Sequence, residues 1–562
     1  MENFKILSTP FESNLTSVPY AEYPRPQLRR EGYICLNGTW DLSIMRGGNC
    51  FYNGNIIVPF PIPSRLSGVT VDIQKNDRMI YSRSFEIGEY EGRMLLHFGA
   101  VDQSCRVFIN DMPIGKHKGG YTPFTFDITD RVKIGENRIV VEVCDPLDSE
   151  LPYGKQRRKR GGMWYTPTSG IWQTVWMECV PVQYITHLAI QSSLTQATIS
   201  VFGGEKEKIL HFEGKEYPFT GESISISPKD PQTWSPEQPT LYEFSVSSGK
   251  DTVHSYFALR TIEAKGNQIL LNGKPYFFHG VLDQGYFSDG LYLPATPEGY
   301  EYDILKMKEL GFNTLRKHIK VEPDLFYYYC DKYGMIVFQD FVNSGKYNFL
   351  IDTALPTVGL KKGVSHKASA YRRRHFETCA TKTMELLYNH PSVCYYTIFN
   401  EGWGQYDADE MYEKFKSMDK SRIFDTTSGW FYENKSDVDS EHVYFKKIQF
   451  QKRSRPLVLS EFGGYSLKIK EHSFNQSKIY GYRLYTDQEK FSLAMEQLYL
   501  EQLVPNIESA QMCAVILTQL SDVEDETNGL FTFDRRVCKI DTQRMQALSN
   551  KLFTTYNKTL KE

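Results

Sequence analysis

Two short stretches end a buried apolar run on a carboxylate. In one, Val393, Tyr395, Tyr396, Ile398 and Phe399 lead into Asn400-Glu401, followed by Gly402-Trp403-Gly404. In the other, Pro456-Leu457-Val458-Leu459-Ser460 leads into Glu461-Phe462-Gly463-Gly464. Such continuous apolar runs suit strands buried on both faces, as in a parallel sheet or barrel. The carboxyl ends of barrel strands are where that architecture keeps its chemistry. Two carboxyl groups there suit cleavage of a glycosidic bond. One acid protonates the leaving oxygen, and a second carboxylate attacks the anomeric carbon or activates water, through an oxocarbenium-like transition state. Either Glu alone would serve as well as a structural ion-pair partner; the repeated pattern, with glycines after both, favours catalysis.

These strands need a scaffold, and the sequence supplies one from residue 263 onward, where strands alternate with helices. Tyr276–Val281, Asn313–Arg316 and Met335–Asp340 read as the first three strands, with helices at about 297–310 and at 324–333 between them. A long helix is expected from about 366 to 389, then the Glu401 strand as the fourth. Phe424–Ser428, His442–Tyr444, the Glu461 strand and Cys513–Gln519 complete eight β/α units, a TIM barrel over 263–562. Strands four and seven face each other across the mouth, and carboxyls roughly 5 Å apart there predict retention through a covalent intermediate. Two like charges that close raise one pKa, so one Glu keeps its proton while the other stays ionised.

Other polar and aromatic residues fall at or just beyond predicted strand ends: Asp283, Arg316, His318, Asp340, Trp403, Trp430 and His442. Asp and His can bond sugar hydroxyls and Trp can stack on a ring face, although each serves equally as packing or a buried hydrogen-bond partner. Asn400 is placed to meet a sugar 2-hydroxyl. The acids of Thr518–Glu524 could ligate a structural cation, but a helix cap or a solvated loop is the plainer reading. No metal ligand is assigned and no cofactor is required. The chain has no His-Glu-x-x-His, no phosphate-cradling Gly-x-x-x-x-Gly-Lys, no dinucleotide fingerprint and no Gly-x-Ser-x-Gly elbow.

Ahead of the barrel the pattern is β. Residues 1–181 carry short β-branched and aromatic runs separated by Asn-Gly, Asn-Asp and Gly-Gly turns, as in a jelly roll. Residues 182–262 continue with weaker strands, the dimensions of a small immunoglobulin-like sandwich. The net charge of −3 gives no nucleic-acid footprint. The basic run Lys155-Gln156-Arg157-Arg158-Lys159-Arg160 reads as a solvated loop before it reads as a localisation signal. Met1-Glu2-Asn3-Phe4-Lys5 does not open a secretory signal, and no apolar run reaches membrane-spanning length. The ten dispersed cysteines suit reduced thiols in a cytoplasmic protein. An aromatic content of 14% fits a large core and also a protein that stacks sugars.

Asn400-Glu401 and the downstream Ser460-Glu461-Phe462-Gly463 resemble the motifs of glycoside hydrolase family two, which includes β-galactosidases, β-glucuronidases and β-mannosidases. The likeness runs almost end to end. Leu36-Asn37-Gly38-Thr39-Trp40, Gly119–Phe124 and Ser169–Gln173 look like the family's sugar-binding jelly roll. Trp234–Tyr242 and Phe257–Arg260 look like its immunoglobulin-like domain, and Lys274-Pro275-Tyr276, Gly311–Arg316 and Cys330–Gly334 like its barrel. The resemblance implies Glu401 as acid/base and Glu461 as nucleophile of a retaining exo-β-glycosidase.

Terminal β-galactosides are the first expected substrate, with β-glucuronides, β-mannosides and β-glucosaminides as alternatives. A non-catalytic carbohydrate-binding protein is the rival from another class. Leu282-Asp283-Gln284-Gly285 and Lys317-His318-Ile319-Lys320 depart from the segments usual in the galactosidases and glucuronidases, and Gln339-Asp340-Phe341 looks more like β-mannosidases. The Asn-x-Lys pair with which glucuronidases of the family hold a carboxylate occurs in the barrel segment only as Asn272-Gly273-Lys274, before strand one. That leaves Lys317, Lys320 or Lys346 to meet an acidic sugar. With little chain beyond the barrel, a homodimer is the expected assembly.

Overall fold

The computed structural model of the chain describes residues 3–357 and 367–561. The first part is a sandwich of two antiparallel sheets. One has six strands in the order Asn49–Val58, Gly38–Arg46, Arg78–Ile87, Gly135–Cys144, Ser104–Ile109, Met112–Lys118. The other has four, Tyr33–Cys35, Val175–Val180, Arg93–Phe98 and Phe124–Asp127. Strand Gly135–Cys144 shows why they pair face to face: Ile139, Val141 and Val143 point inward and are fully buried, while Arg138 points out. They meet Trp40, Leu42, Leu96 and Phe98 in one core. The Asn37-Gly38 turn is required by its surroundings: Gly38 has φ +106°, and a Cβ there would stand 2.9 Å from Ser17 O.

A second, smaller sandwich pairs Ile185–Ser192, Ala197–Gly203 and Ser223–Ile226 against Lys215–Thr220, Glu207–Phe212, Tyr242–Ser248 and Asp251–Phe257. Ile199, Val201, Leu210, Val246 and Phe257 fill it. This is the immunoglobulin-like layer pair that its weak strands predict.

The eight parallel strands of the barrel are β1 (Phe278–Asp283), β2 (Thr314–Lys317), β3 (Ile336–Asp340), β4 (Val393–Asn400), β5 (Ile423–Ser428), β6 (Asp439–Val443), β7 (Leu457–Gly463) and β8 (Ala514–Thr518). The hydrogen-bonded order runs β5-β4-β3-β2-β1-β8-β7-β6 and opens only between β5 and β6. Phe278, Leu282, Phe338, Tyr395 and Ile516 fill the interior together with Ile269 and Leu271 of a short hairpin ahead of β1. The packed interior leaves the carboxyl ends of the strands as the place for a cavity.

Two expectations need correction. The eight units are not all β/α: among the described residues neither β5–β6 nor β6–β7 is connected by a helix. Both connections are short, and the second is rich in Lys and Arg, with no apolar stripe of helical period to bury. Strand β1 also begins and ends two residues later than the expected Tyr276–Val281, and the later end takes in Asp283. The long helix occupies Ala370–Leu387, with Ser369 Oγ accepting from Arg372 N at 3.0 Å as its N-cap; the expected first residue, 366, lies outside the described residues.

The first sandwich is laid against the barrel mouth. Tyr153 N donates to Asn343 O at 3.1 Å and Gly345 N to Ser149 O at 2.6 Å. Thr166 N donates to Glu524 Oε1 at 3.0 Å. These bonds fix the loop that runs from Asp145 to Ser169 over the ends of the barrel strands.

Candidate active site

Glu401 follows the last residue of β4 in a left-handed conformation, φ +52°, with its N–H bonded to Ser428 O of β5 at 2.8 Å. Glu461 lies within β7. Both face one cavity of about 750 Å³. One carboxylate oxygen of each, with Nδ1 of His442, lie within 4.8 Å of one another. The His442 ring stands between them, its Nδ1 2.9 Å from Glu401 Oε1 and 3.5 Å from Glu461 Oε2. Arg316 Nη1 lies 3.2 Å from His442 Nε2 and can only donate, so the ring proton belongs on Nδ1, facing the carboxylates.

Arg316, from β2, forms the floor. Its Nη1 donates to Glu461 Oε1 and to Ser460 O at 2.9 Å, its Nη2 to Asn400 Oδ1 at 2.7 Å, and its Nε to Asp340 Oδ1 at 3.0 Å. Tyr444, just past β6, donates its hydroxyl to Glu461 Oε2. Burial by itself would raise the Glu461 carboxyl; His442 and Arg316, then His318 and Lys155, outweigh it and draw its pKa down to about 2. Glu461 therefore stays ionised.

Asn400 gives its oxygen to Arg316, and its amide nitrogen, without a partner among the described residues, is left for the cavity it lines. His318 receives a similar setting. Its Nδ1 donates to Asp340 Oδ2 at 2.7 Å, and burial, helped by Lys155 and opposed by Asp340, depresses the ring to about 4. The imidazole is neutral near pH 7, and its bare Nε2 can accept from a hydroxyl group.

Of the ten residues read from the sequence as site residues, Glu401, Glu461, Asn400, His318 and Trp430 line the cavity. Arg316, Asp340 and His442 lie one layer below and hold them. Trp430 Nε1 donates to His442 O at 3.3 Å. Asp283 is not in the cavity: its carboxylate accepts from Lys317 Nζ at 2.6 Å and from Gly285 N at 2.8 Å. Nor is Trp403, whose Nε1 donates to Gly345 O at 2.9 Å and whose ring packs edge-on against Tyr153 and Trp164. Trp403 braces Trp164, and it is Trp164 that lines the cavity.

The strand-eight acids are neither a helix cap nor a solvated loop. Asp522 pairs with Lys539 at 2.5 Å, Glu524 with Arg160 at 3.3 Å, and Glu526 accepts from Tyr165. All are buried, and Glu524 and Glu526 are held by residues of the first sandwich. Glu401, His442 and Glu461 offer three ligand atoms to a cation, but Arg316 already occupies Glu461 and a proton already bridges the gap.

Sequence reasoning missed Lys155, Arg157, Trp164, Tyr347, Tyr444, Phe445, Tyr480, Tyr482 and Glu526, which line the same cavity. Tyr444 was within reach, two residues beyond His442 on one strand end. The basic run is solvated in part, with Arg157, Arg158 and Lys159 exposed, but Lys155 and Arg157 also face the cavity and Arg160 is tied to Glu524 and Asp525, so this loop covers the site. Nothing local in the sequence signals that a loop of the first sandwich reaches a site in the barrel.

Residues 26–181 match the profile of "Glycosyl hydrolases family 2, sugar binding domain", and residues 262–496 that of "Glycosyl hydrolases family 2, TIM barrel domain". A β-galactosidase of Priestia megaterium (strain DSM 319 / IMG 1521) is 24% identical over 412 residues, covering 65% of this chain and 38% of the relative. A β-glucuronidase of Bacteroides fragilis is 26% identical over 355 residues, 56% of this chain and 48% of the relative. The chain thus spans less than half the length of these two curated relatives. The solved β-D-glucuronidase of Dictyoglomus thermophilum superposes with a TM-score of 0.74 at 18% identity, covering 94% of this chain and 98% of that one. At that identity the likeness establishes the fold.

Proposed function

The chain belongs to glycosyl hydrolases family 2, and from that premise we propose that it is a retaining, exo-acting β-glycosidase with Glu461 as nucleophile and Glu401 as acid/base. The observation that carries this is the pair of carboxylates, one at the end of β4 and one in β7, with oxygens within 4.8 Å in a single cavity. A gap that short suits direct attack and leaves little room for the intervening water of an inverting enzyme.

In the first step Glu461 attacks the anomeric carbon while Glu401 gives its proton to the glycosidic oxygen. The aglycone leaves as an alcohol, and the sugar is held as an ester on Glu461. In the second step Glu401 takes a proton from water, the water oxygen attacks the same carbon, and the ester bond breaks. The sugar leaves with its original configuration, Glu461 is again a carboxylate and Glu401 again an acid. Arg316 and Tyr444 hold the two oxygens of Glu461 for attack, and the Asn400 amide is aimed at a sugar hydroxyl. Exo action is favoured by the loop 145–169, which walls the cavity on one side and leaves space suited to one terminal sugar and the start of its aglycone.

The names of relatives divide the choice of sugar. β-Galactosides follow from the Priestia megaterium protein and β-glucuronides from that of Bacteroides fragilis. All ten cysteines are unpaired, which suits a reducing cytoplasm, and among the described residues no helix is long and apolar enough to cross a membrane. The test is hydrolysis of a panel of aryl β-glycosides by wild type, Glu461→Gln and Glu401→Ala. Glu461→Gln should be inactive on all. Glu401→Ala should keep appreciable activity only where the leaving group needs no proton. Equal loss on good and poor leaving groups would remove Glu401 from its role, and a wild type inert on every member would favour a carbohydrate-binding protein.

A further inference from the structure

Lys155 enters the cavity from outside the barrel, and its position is built. The neighbouring Gln156 is fully buried; its Nε2 donates to Asp102 Oδ2 and to Tyr121 OH at 3.1 Å, and its Oε1 accepts from Thr168 N at 2.6 Å. Lys155 O accepts from Tyr165 N at 3.0 Å. The backbone is clamped on both sides of the residue while the side chain lines the cavity that holds Glu401 and Glu461.

The ammonium group makes no hydrogen bond or ion pair among the described residues. The other buried cations near the strand ends are spent. Arg316 holds Asp340 and Glu461, and Lys317 holds Asp283 and Glu322 at 2.6 and 2.7 Å. Lys320 donates to Glu322 at 2.8 Å and to the carbonyls of Gly285 and Tyr292 at 2.6 and 2.7 Å. Lys346 does not line the cavity. None of the three lysines expected to meet an acidic sugar is therefore in place to do so. Glu526, the remaining carboxylate of the cavity wall, is engaged by Tyr165.

A cation held in a polar cavity without a partner contributes nothing evident to folding. A role in tuning Glu461 alone is weak, because Arg316 already touches that carboxylate. The charge of Lys155 is felt by His318 at β2, by Glu461 on β7 and by Glu526 beyond β8. His318 and Glu526 in turn act on Glu461, the residue on which the sugar is held in the proposed mechanism.

We propose that Lys155 Nζ binds an anionic group of the sugar itself, the carboxylate of a terminal β-linked uronic acid, so that the first sandwich supplies the residue that selects the substrate. The neutral His318 Nε2 then accepts from a neighbouring hydroxyl, and the Asn400 amide donates to another. This rests on the glycosidase reading of Glu401 and Glu461.

The experiment measures kcat/KM for 4-nitrophenyl β-glucuronide, β-galacturonide, β-galactoside and 6-sulfated β-galactoside with wild type, Lys155→Met and Lys155→Arg. The wild type should favour a uronide over the neutral galactoside. Lys155→Met should lose about 10- to 100-fold on uronides, chiefly in KM, and change little on the galactoside. Lys155→Arg should recover part of the loss. Unfolding of Lys155→Met should match wild type, because its side chain makes no bond to lose. A wild type that prefers the galactoside, or a Lys155→Met variant that weakens all substrates alike, overturns the proposal while leaving the glycosidase reading intact. Preference for the sulfated sugar over both uronides overturns the carboxylate. Inactivity on all four, with no ester formed on Glu461, overturns the reading beneath it as well.

Discussion

Arg316 Nη1 donates to Glu461 Oε1 at 2.9 Å, inside a barrel mouth where the arginine is fully buried. The same guanidinium reaches Asn400 and Asp340, so one side chain from β2 sets the ends of β3, β4 and β7. A planar group with five N–H donors can do this; an ammonium on a flexible stem cannot. Arg316→Lys should fold, since the charge is kept, but lose about 100-fold or more in kcat, because one ammonium cannot hold Glu461, Asn400 and Asp340 together. Arg316→Met leaves two buried carboxylates short of a partner and should unfold more easily by about 3–5 kcal/mol. Steady-state kinetics on an activated aryl glycoside and urea unfolding read the two effects; unchanged kcat in Arg316→Lys would deny the arginine its place in the site.

Tyr444 acts on the other oxygen of Glu461 and also bonds Thr518 Oγ1 at 3.0 Å. Tyr444→Phe removes one hydroxyl and keeps the ring, which stacks on Tyr482 with centroids 4.1 Å apart. The fold should therefore survive. A loss of about 10- to 100-fold in kcat is expected, since the carboxylate that re-forms on Glu461 as the ester breaks no longer receives that hydrogen bond. Equal kcat with a raised KM would instead make Tyr444 a binding group.

The pH profile separates the proposed nucleophile from its neighbour. Glu461, drawn down to about 2, is ionised throughout the working range and sets no limb there. His318, depressed to about 4 chiefly by burial, takes up a proton as pH falls through that value, and its Nε2 then turns from acceptor to donor. The kcat/KM profile should fall on the acid side near pH 4, and in His318→Asn that limb should move lower while the plateau drops. A limb unmoved in the variant would assign it to another group.

How far these groups were legible in the sequence depends on what each one's role requires. Glu401 and Glu461 were readable because an apolar strand that stops abruptly at an acid is a local pattern. The same rule placed Arg316, His318, Asp340 and His442 at strand ends, but it could not separate residues that face the cavity from those beneath it. Asp283 shows why: its chemistry suits a sugar, yet Lys317, one strand over, claims it. Helices after β5 and β6 follow from an eightfold rule alone, and neither connection carries the apolar stripe that would bury one. Lys155 and Arg157 were out of reach altogether, because their role is created by the docking of one domain on another more than two hundred residues away along the chain.

One buried histidine far from the cavity gives a stability test with a defined sign. His390, just ahead of β4, lies between Asp331 and Asp324, both on the helix Asp324–Tyr333, at 2.6 Å from each. Burial would lower its pKa, but Asp331 and Asp324 outweigh it and raise the ring from 6.5 to about 9. The folded protein thus holds this proton more tightly than the unfolded chain. Its contribution is complete below about pH 6.5 and is lost as pH rises through about 9, an effect on the order of 3 kcal/mol. Thermal unfolding followed from pH 6 to pH 9.5 should show the barrel transition falling across that window. His390→Gln, which carries no charge at any pH, should be less stable at pH 6 and should flatten the slope between pH 6.5 and pH 9. A slope of the same size in the variant would mean that other groups titrate there and that the Asp331–His390–Asp324 bridge carries no ionic charge.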